Sequence, residues 1–288
     1  MKPAPFAYLR PSTLDEALTA LAGEQGAKVL AGGQSLVPLL SMRLAAPAML
    51  IDINALPDLG SVQVDESGVR IGALARHAEV LASSEAAEVQ PLLAMALSHV
   101  AHPTIRNRGT TVGSIVHADA AAEMPMVLRL LEGSVDVASV RGRRTIPAAE
   151  LFAGPLESTL AHDELAVGAF FPALAAGAGV GFQEIARRHG DYALVGVAAH
   201  VQLDGDAVAS ARIGFVSVSD VPVVVDVTDA VQDTAGDPAA AALAELDPAD
   251  DIHATAAYRA HLVKVLVPKV LAAATDHARE RARQRMDS

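Results

Sequence analysis

Two glycine-bearing turns carry the residues best placed to do chemistry. The first, Ala31-Gly32-Gly33-Gln34-Ser35-Leu36, falls where a short apolar run ends and helical spacing begins. Glycines at such a junction let backbone N–H groups come close to a ligand, and the start of a helix adds a positive pole. That suits a phosphate or diphosphate; a tight structural turn with no ligand reads the same way. The second segment runs from Thr104 to Ser114, where Gly109, Thr110, Thr111, Val112, Gly113 and Ser114 crowd donors and close-approach positions together. His117, Asp119 and Glu123 come next in the chain. Asp119 and Glu123 are spaced to share a helical face and to accept from ribose hydroxyls. A polar loop ahead of an acid-capped helix would look alike. Tyr192 ends the charged stretch Arg187-Arg188-His189-Gly190-Asp191, and tyrosine occurs only 3 times in the chain. It can stack on a flat ring or anchor an ordinary interface.

Other chemistries find no support. The 288 residues contain no cysteine, which excludes thiolate zinc, a cysteine-held iron–sulfur cluster and a cysteine nucleophile from this chain. A net charge of -12 argues against a binder of nucleic-acid backbones. His99, His102 and His117 make too loose a pattern for a metal site. Gly177-Ala178-Gly179-Val180-Gly181 imitates a dinucleotide fingerprint, but the chain from Phe182 onward reads as strand rather than helix. Neither a serine-nucleophile elbow nor a Walker loop occurs.

The elements that must hold these residues form an α+β pattern. Residues 1–57 read as a small βαβ unit: a helix capped by Ser12 or Thr13, a strand at Lys28–Ala31, a helix from Leu36, and a strand at Leu50–Ile53. Residues 58–176 read as a larger mixed or antiparallel sheet with helices. Hairpins are expected around residues 65–68 and within 135–146, helices from His77, Leu92 and Met124, and a strand at Val167–Phe171. A small-residue linker then leads to an α+β C-terminal part, 177–288, with a three-stranded antiparallel sheet and a helical tail. Pro268 is expected to kink or break that tail, and its basic end, Arg279–Arg285, reads as a solvated helix terminus. No targeting segment or membrane-length apolar block is evident, so a cytoplasmic location is expected.

These segments, in this order, resemble the FAD-binding medium subunit of the molybdenum hydroxylases, the family of xanthine dehydrogenase and aerobic carbon monoxide dehydrogenase. Ala31–Leu36, Leu50–Asn54, Ile71-Gly72-Ala73-Leu74, Thr104–Pro125, Asp163-Glu164-Leu165 and Ala186–Ala193 carry the resemblance, which spans essentially the whole chain. It implies that residues 31–36 and 110–114, with Gly109, wrap the FAD diphosphate. His117 and Asp119 join the cofactor-binding set, Glu123 reaches the adenosine side, Leu165 lies along the cofactor and Tyr192 covers the isoalloxazine. It further implies a heterotrimer, paired into a dimer of heterotrimers. A large subunit holds the molybdopterin and oxidises the substrate, so no side chain of this chain is expected to act on it as acid, base or nucleophile, and a small subunit holds two [2Fe-2S] clusters that feed FAD. FAD then reduces an external acceptor: a quinone, NAD, oxygen or a carrier. Three positions depart from the family pattern: Val112 stands where a glycine is usual, Ala120 where a proline is, and Pro268 where a basic residue is more common. A self-sufficient flavin oxidoreductase and a scaffold that has lost its cofactor are the competing readings.

Overall fold

The structure is a computed structural model that describes residues 2–286. The first unit is a three-stranded parallel sheet. Strand β1 (Ala7–Leu9) precedes helix α1 (Leu14–Gly23), then β2 (Ala27–Leu30), α2 (Leu36–Met42) and β3 (Met49–Asp52) follow in the spatial order β1-β3-β2. Thr13 is the N-cap of α1, accepting from the Glu16 amide at 3.2 Å, while the Glu16 carboxylate accepts from Ser12 N–H at 2.7 Å. That reciprocal arrangement satisfies orphan donors at the helix start. Ala17, Leu18 and Leu21 then bury one face against Ile51 and Ile53. The strand β1, unread in the sequence, completes the sheet.

The second unit is built on an antiparallel sheet in the order β4-β5-β10-β6-β7. Its hairpins are β4 (Val62–Asp65) with β5 (Gly68–Gly72) and β6 (Ser134–Ser139) with β7 (Gly142–Pro147), as the turn residues predict. Between them lie α3 (His77–Ala82), α4 (Ser84–Val89), α5 (Pro91–Leu97), α6 (Pro103–Arg106), α7 (Thr111–His117) and α8 (Glu123–Leu130). Then come α9 (Ala148–Leu151), the small ribbon β8 (Phe152–Gly154) and β9 (Glu157–Ser158), and the central strand β10 (Leu165–Pro172). Helix α8 is buried almost all round, with Met124, Met126, Val127, Leu128 and Leu130 inside.

The C-terminal sheet has four antiparallel strands where three were expected: β11 (Ala178–Ala186), β12 (Ala193–Asp204), β13 (Ala207–Val216) and β14 (Val223–Asp226). The fourth strand pairs Val223–Asp226 with β13. The fingerprint-like glycines at 177–181 lie mostly in β11, where Gly179 packs directly against the Ala274 backbone of the last helix. Helices α10 (Thr228–Gln232), α11 (Pro238–Ala244) and α12 (Ala256–Met286) complete the unit. The break expected at Pro268 does not occur, because α12 runs through it. A mid-helix proline costs about 3 kcal/mol. Buried Leu262, Val263, Leu266 and Val267 before it, and Val270, Leu271, Ala274 and Ala278 after it, hold both halves on the sheet. Of the basic tail, Arg281 is tied back to the Leu174 and Ala178 carbonyls rather than solvated.

Candidate cofactor site

The first turn leaves β2 and enters α2. Gly33 has a φ of +73°, a left-handed conformation that glycine adopts without penalty. At Gly32 the constraint is space: a Cβ would lie 2.4 Å from the Arg108 carbonyl oxygen, 2.8 Å from Gly109 Cα and 3.0 Å from Thr110 N. The two glycine segments, far apart in sequence, therefore touch backbone to backbone.

The second segment is a helix start from Thr111 onward, rather than a loop throughout. Thr110 caps α7, its hydroxyl accepting from Gly113 N–H at 3.2 Å. Val112 is helical and buried, its side chain joining the main core. A glycine's freedom is not needed there, so the departure from the family pattern leaves the turn intact. Among the described residues, the backbone N–H groups of Gly33, Gln34, Ser35 and Val112 meet no protein acceptor. Free donors on two turns in mutual contact suit an anion shared between them. The residues present thus fit the diphosphate of a dinucleotide.

Side chains behind the turns were not singled out by the sequence. Asn54, just past β3, donates to the Ala31 carbonyl at 2.8 Å. Arg76 donates to the Arg108 carbonyl at 2.6 Å. Buried His77 shares a hydrogen bond with the Thr111 hydroxyl through Nδ1 at 3.1 Å, and its backbone N–H donates to the Gly109 carbonyl. Burial, and then the Arg106 charge, pull the His77 imidazole down to about 4, so it is neutral at neutral pH.

A small apolar recess opens beside the turns, lined by Ala31, Ile53, Val112, Gly113, Leu160 and Leu165 among others. Leu165 begins β10, and the two residues ahead of it are pinned: Asp163 by Arg141, Glu164 by a two-armed bond from Arg144 at 2.7 and 2.8 Å. Arg144's hydrogen bonds hold the Glu164 carboxyl below its usual range.

The other end of α7 carries the acidic residues. Seven residues of helix separate the Thr111 end from His117 by roughly 9 Å. Asp119 lies in the turn after α7, accepting from Ala121 N–H at 2.9 Å, while Glu123 opens α8. They do not share a helical face, since α8 begins only at Glu123. Glu123 is buried; that burial, then the nearby Glu184 charge, push its carboxyl up to about 8. It is a neutral acid at neutral pH, not the carboxylate expected. Glu184, on β11, faces His99 Nδ1 at 3.3 Å through one oxygen and leaves the other without a partner. Tyr192 is 63% exposed. Desolvation, then the Asp119 and Glu123 charges, push the phenol up to about 12. Tyr192 and Glu123 therefore sit near the same end of α7.

An α+β protein whose backbone turns meet at one seam with free amides has the makings of a dinucleotide-binding protein. Comparison with known proteins then fixes the family. Residues 4–174 match the model described as FAD binding domain in molybdopterin dehydrogenase, and residues 181–274 that of the CO dehydrogenase flavoprotein C-terminal domain. The chain belongs to this family of FAD-binding medium subunits of molybdenum hydroxylases. It is 41% identical to the 6-hydroxypseudooxynicotine dehydrogenase complex subunit alpha of Paenarthrobacter nicotinovorans, over 97% of each chain. It is 33% identical to the carbon monoxide dehydrogenase medium chain of Hydrogenophaga pseudoflava, over 95% of this chain and 98% of that one. A solved structure of quinoline 2-oxidoreductase from Pseudomonas putida 86 superposes with a TM-score of 0.91 at 34% identity, covering 96% of this chain and 99% of that one. FAD is therefore this chain's cofactor. No helix among the described residues is long and apolar enough to cross a membrane.

Proposed function

We propose that this chain carries FAD as the electron-passing subunit of a heterotrimeric molybdenum-containing dehydrogenase. The reading rests chiefly on the seam between the turns, where Gly32 meets Arg108 and Gly109 beside free amides from both segments. FAD, when bound, would take electrons singly, as one-electron iron–sulfur clusters deliver them, and pass them on singly or in pairs. The chain's own residues do the rest. Gly32, Gly33, Gln34 and Ser35 on one side, and Gly109 to Ser114 on the other, bind the diphosphate and orient the dinucleotide. Ala31, Leu36 and Leu165 give its apolar bed. Tyr192 covers the flavin ring, and His117, Asp119 and neutral Glu123 line the wall beneath that end. Glu123, neutral at neutral pH and within electrostatic reach of Tyr192, is proposed as a hydrogen-bond donor to the cofactor.

The names of the relatives, as subunit alpha of a dehydrogenase complex and as a medium chain, support a multi-subunit enzyme. In that assembly a large molybdopterin subunit oxidises the substrate and a small subunit with two [2Fe-2S] clusters relays electrons to this chain. A dimer of heterotrimers in the cytoplasm, serving an external acceptor, completes the proposal. Co-expression with the neighbouring large and cysteine-rich small subunits tests it: a yellow three-subunit complex is expected. A yellow chain that purifies alone and oxidises substrates unaided would replace it with a self-sufficient oxidoreductase. For the turns, Gly33→Asp is expected to abolish flavin binding, because a carboxylate enters the cradle; full flavin content in that variant would overturn the assignment.

A further inference from the structure

Arg76 stands between the two turns. Its Nη1 donates to the Arg108 carbonyl at 2.6 Å and its Nη2 to Asn54 Oδ1 at 2.7 Å. Asn54 extends the tie, donating through Nδ2 to the Ala31 carbonyl at 2.8 Å and to Asp52 Oδ1 at 2.6 Å. One hydrogen-bonded chain thus joins the first residue of one turn to the residue just ahead of Gly109 in the other. The Arg76 backbone is fixed as well, by an isolated antiparallel bridge to Thr110 and by donation from its N–H to the Glu79 carboxylate at 2.7 Å.

The electrostatics of this tie are unusual. Both acceptors of the guanidinium are uncharged, and among the described residues no carboxylate pairs with it. A guanidinium cannot shed its proton, and a half-buried cation is costly without a counter-charge. Asp52, the carboxylate on this chain of bonds, reaches Arg76 only through Asn54, whereas an anion held by the free amides of the two turns would lie against the same Arg108 segment that the guanidinium binds.

We infer that Arg76 is a positioning residue for the cofactor: it holds the two turns at a fixed spacing and supplies the positive charge that a dinucleotide diphosphate balances. The inference rests on the reading that the turns hold that diphosphate. A plain structural tie would set spacing only; the charge adds an affinity that salt screens.

The test uses the full-length chain, freed of flavin and titrated with FAD by fluorescence at a series of sodium chloride concentrations. Arg76→Gln is expected to raise the Kd about ten- to a hundredfold at low salt, the range of a lost charge-assisted bond, and to flatten the salt dependence. Arg76→Lys keeps the charge without the planar fork; its Kd is expected to rise while the steep salt dependence persists. Arg76→Met, uncharged and of similar reach, is expected to flatten the salt dependence in the same way, and it serves should Arg76→Gln fail to fold. A raised Kd with wild-type salt dependence in both Arg76→Gln and Arg76→Met would reduce Arg76 to a structural tie and overturn the inference. Unchanged affinity in those variants, with Gly33→Asp still abolishing binding, would overturn it while leaving the turns in place. Unchanged affinity in Gly33→Asp would overturn the reading beneath it.

Discussion

Adding one methyl group at Gly32 tests the seam directly. In Gly32→Ala the new Cβ would start 2.4 Å from the Arg108 carbonyl oxygen and 2.8 Å from Gly109 Cα, against an ordinary contact of 3.4 Å or more. Both obstacles are backbone atoms, so no rotamer change relieves the clash; the turns must separate by about 1 Å. Overpacking of this kind costs about 1–3 kcal/mol in stability where the structure can yield. The larger effect falls on the cofactor, because amides 1 Å further apart cannot all reach one diphosphate. Each amide–anion bond lost is worth about 1.5–3 kcal/mol, or roughly a tenfold to hundredfold rise in Kd. The assay is flavin content on purification followed by FAD titration of the deflavinated chain, with thermal melting to report the fold. Gly60→Ala is the control, since nothing lies within 4 Å of a Cβ there. A Gly32→Ala variant with full flavin and wild-type affinity would show that the two turns do not act on one ligand.

Glu123→Gln is expected to stabilise the flavin-free protein above pH 5. The folded carboxyl is held at about 8 against an ordinary 4.5, so the stability it contributes is complete below the ordinary value and is lost as pH rises toward 8. The melting-temperature gap between variant and wild type should widen across that window and level off above it; a constant gap would refute the burial argument. His77→Leu should flatten acid sensitivity, because the native imidazole is depressed to about 4 and its stabilising contribution disappears as pH falls from 6.5 to that value. Melts and flavin retention between pH 7 and 4 give the slopes, and equal slopes would count against it. Tyr192→Ala should shift the flavin absorption bands and change acceptor kinetics. Tyr192→Phe should do neither, since a phenol held up to about 12 stays neutral throughout the assay; an unaltered spectrum in the alanine variant would remove the lid assignment.

The turns were legible in sequence because their chemistry is local. A glycine pair between an apolar run and helical spacing announces a strand-to-helix junction whatever it packs against. The same holds for the hairpins, whose turn residues sit between alternating strands. Strand β14 escaped notice because Pro222 precedes a run of valines that alternates with nothing polar, so only its pairing with β13 reveals it. Helix α7 was obscured by Thr110, Thr111 and Gly113, poor helix formers whose propensity is overridden by buried Val112 and Ile115. Asn54 and His77 fall in segments the sequence marks as a strand end and a helix start, but nothing local marks them or Arg76 as supports of the turns. Their importance arises where three distant segments meet, at carbonyls that any residue would provide.

The state of Glu123 illustrates why the C-terminal unit matters to a site that the first two units build. A carboxyl at a helix N-terminus, facing solvent, would ionise readily. Here α8 lies between helices α5 and α7 and the C-terminal strands, and Ala178, Val180, Ala193, Ala198 and Val216 join the same core as Met124, Met126 and Val127. That packing removes water from Glu123 and brings Glu184 of β11 toward it, so desolvation and a second acid act in the same direction. The strands that supply Glu184 also launch and receive the loop bearing Tyr192, between Ala186 and Ala193. Tyr192 and the neutral acid are therefore set by one piece of structure, and a shift of β11 against α8 would alter both together.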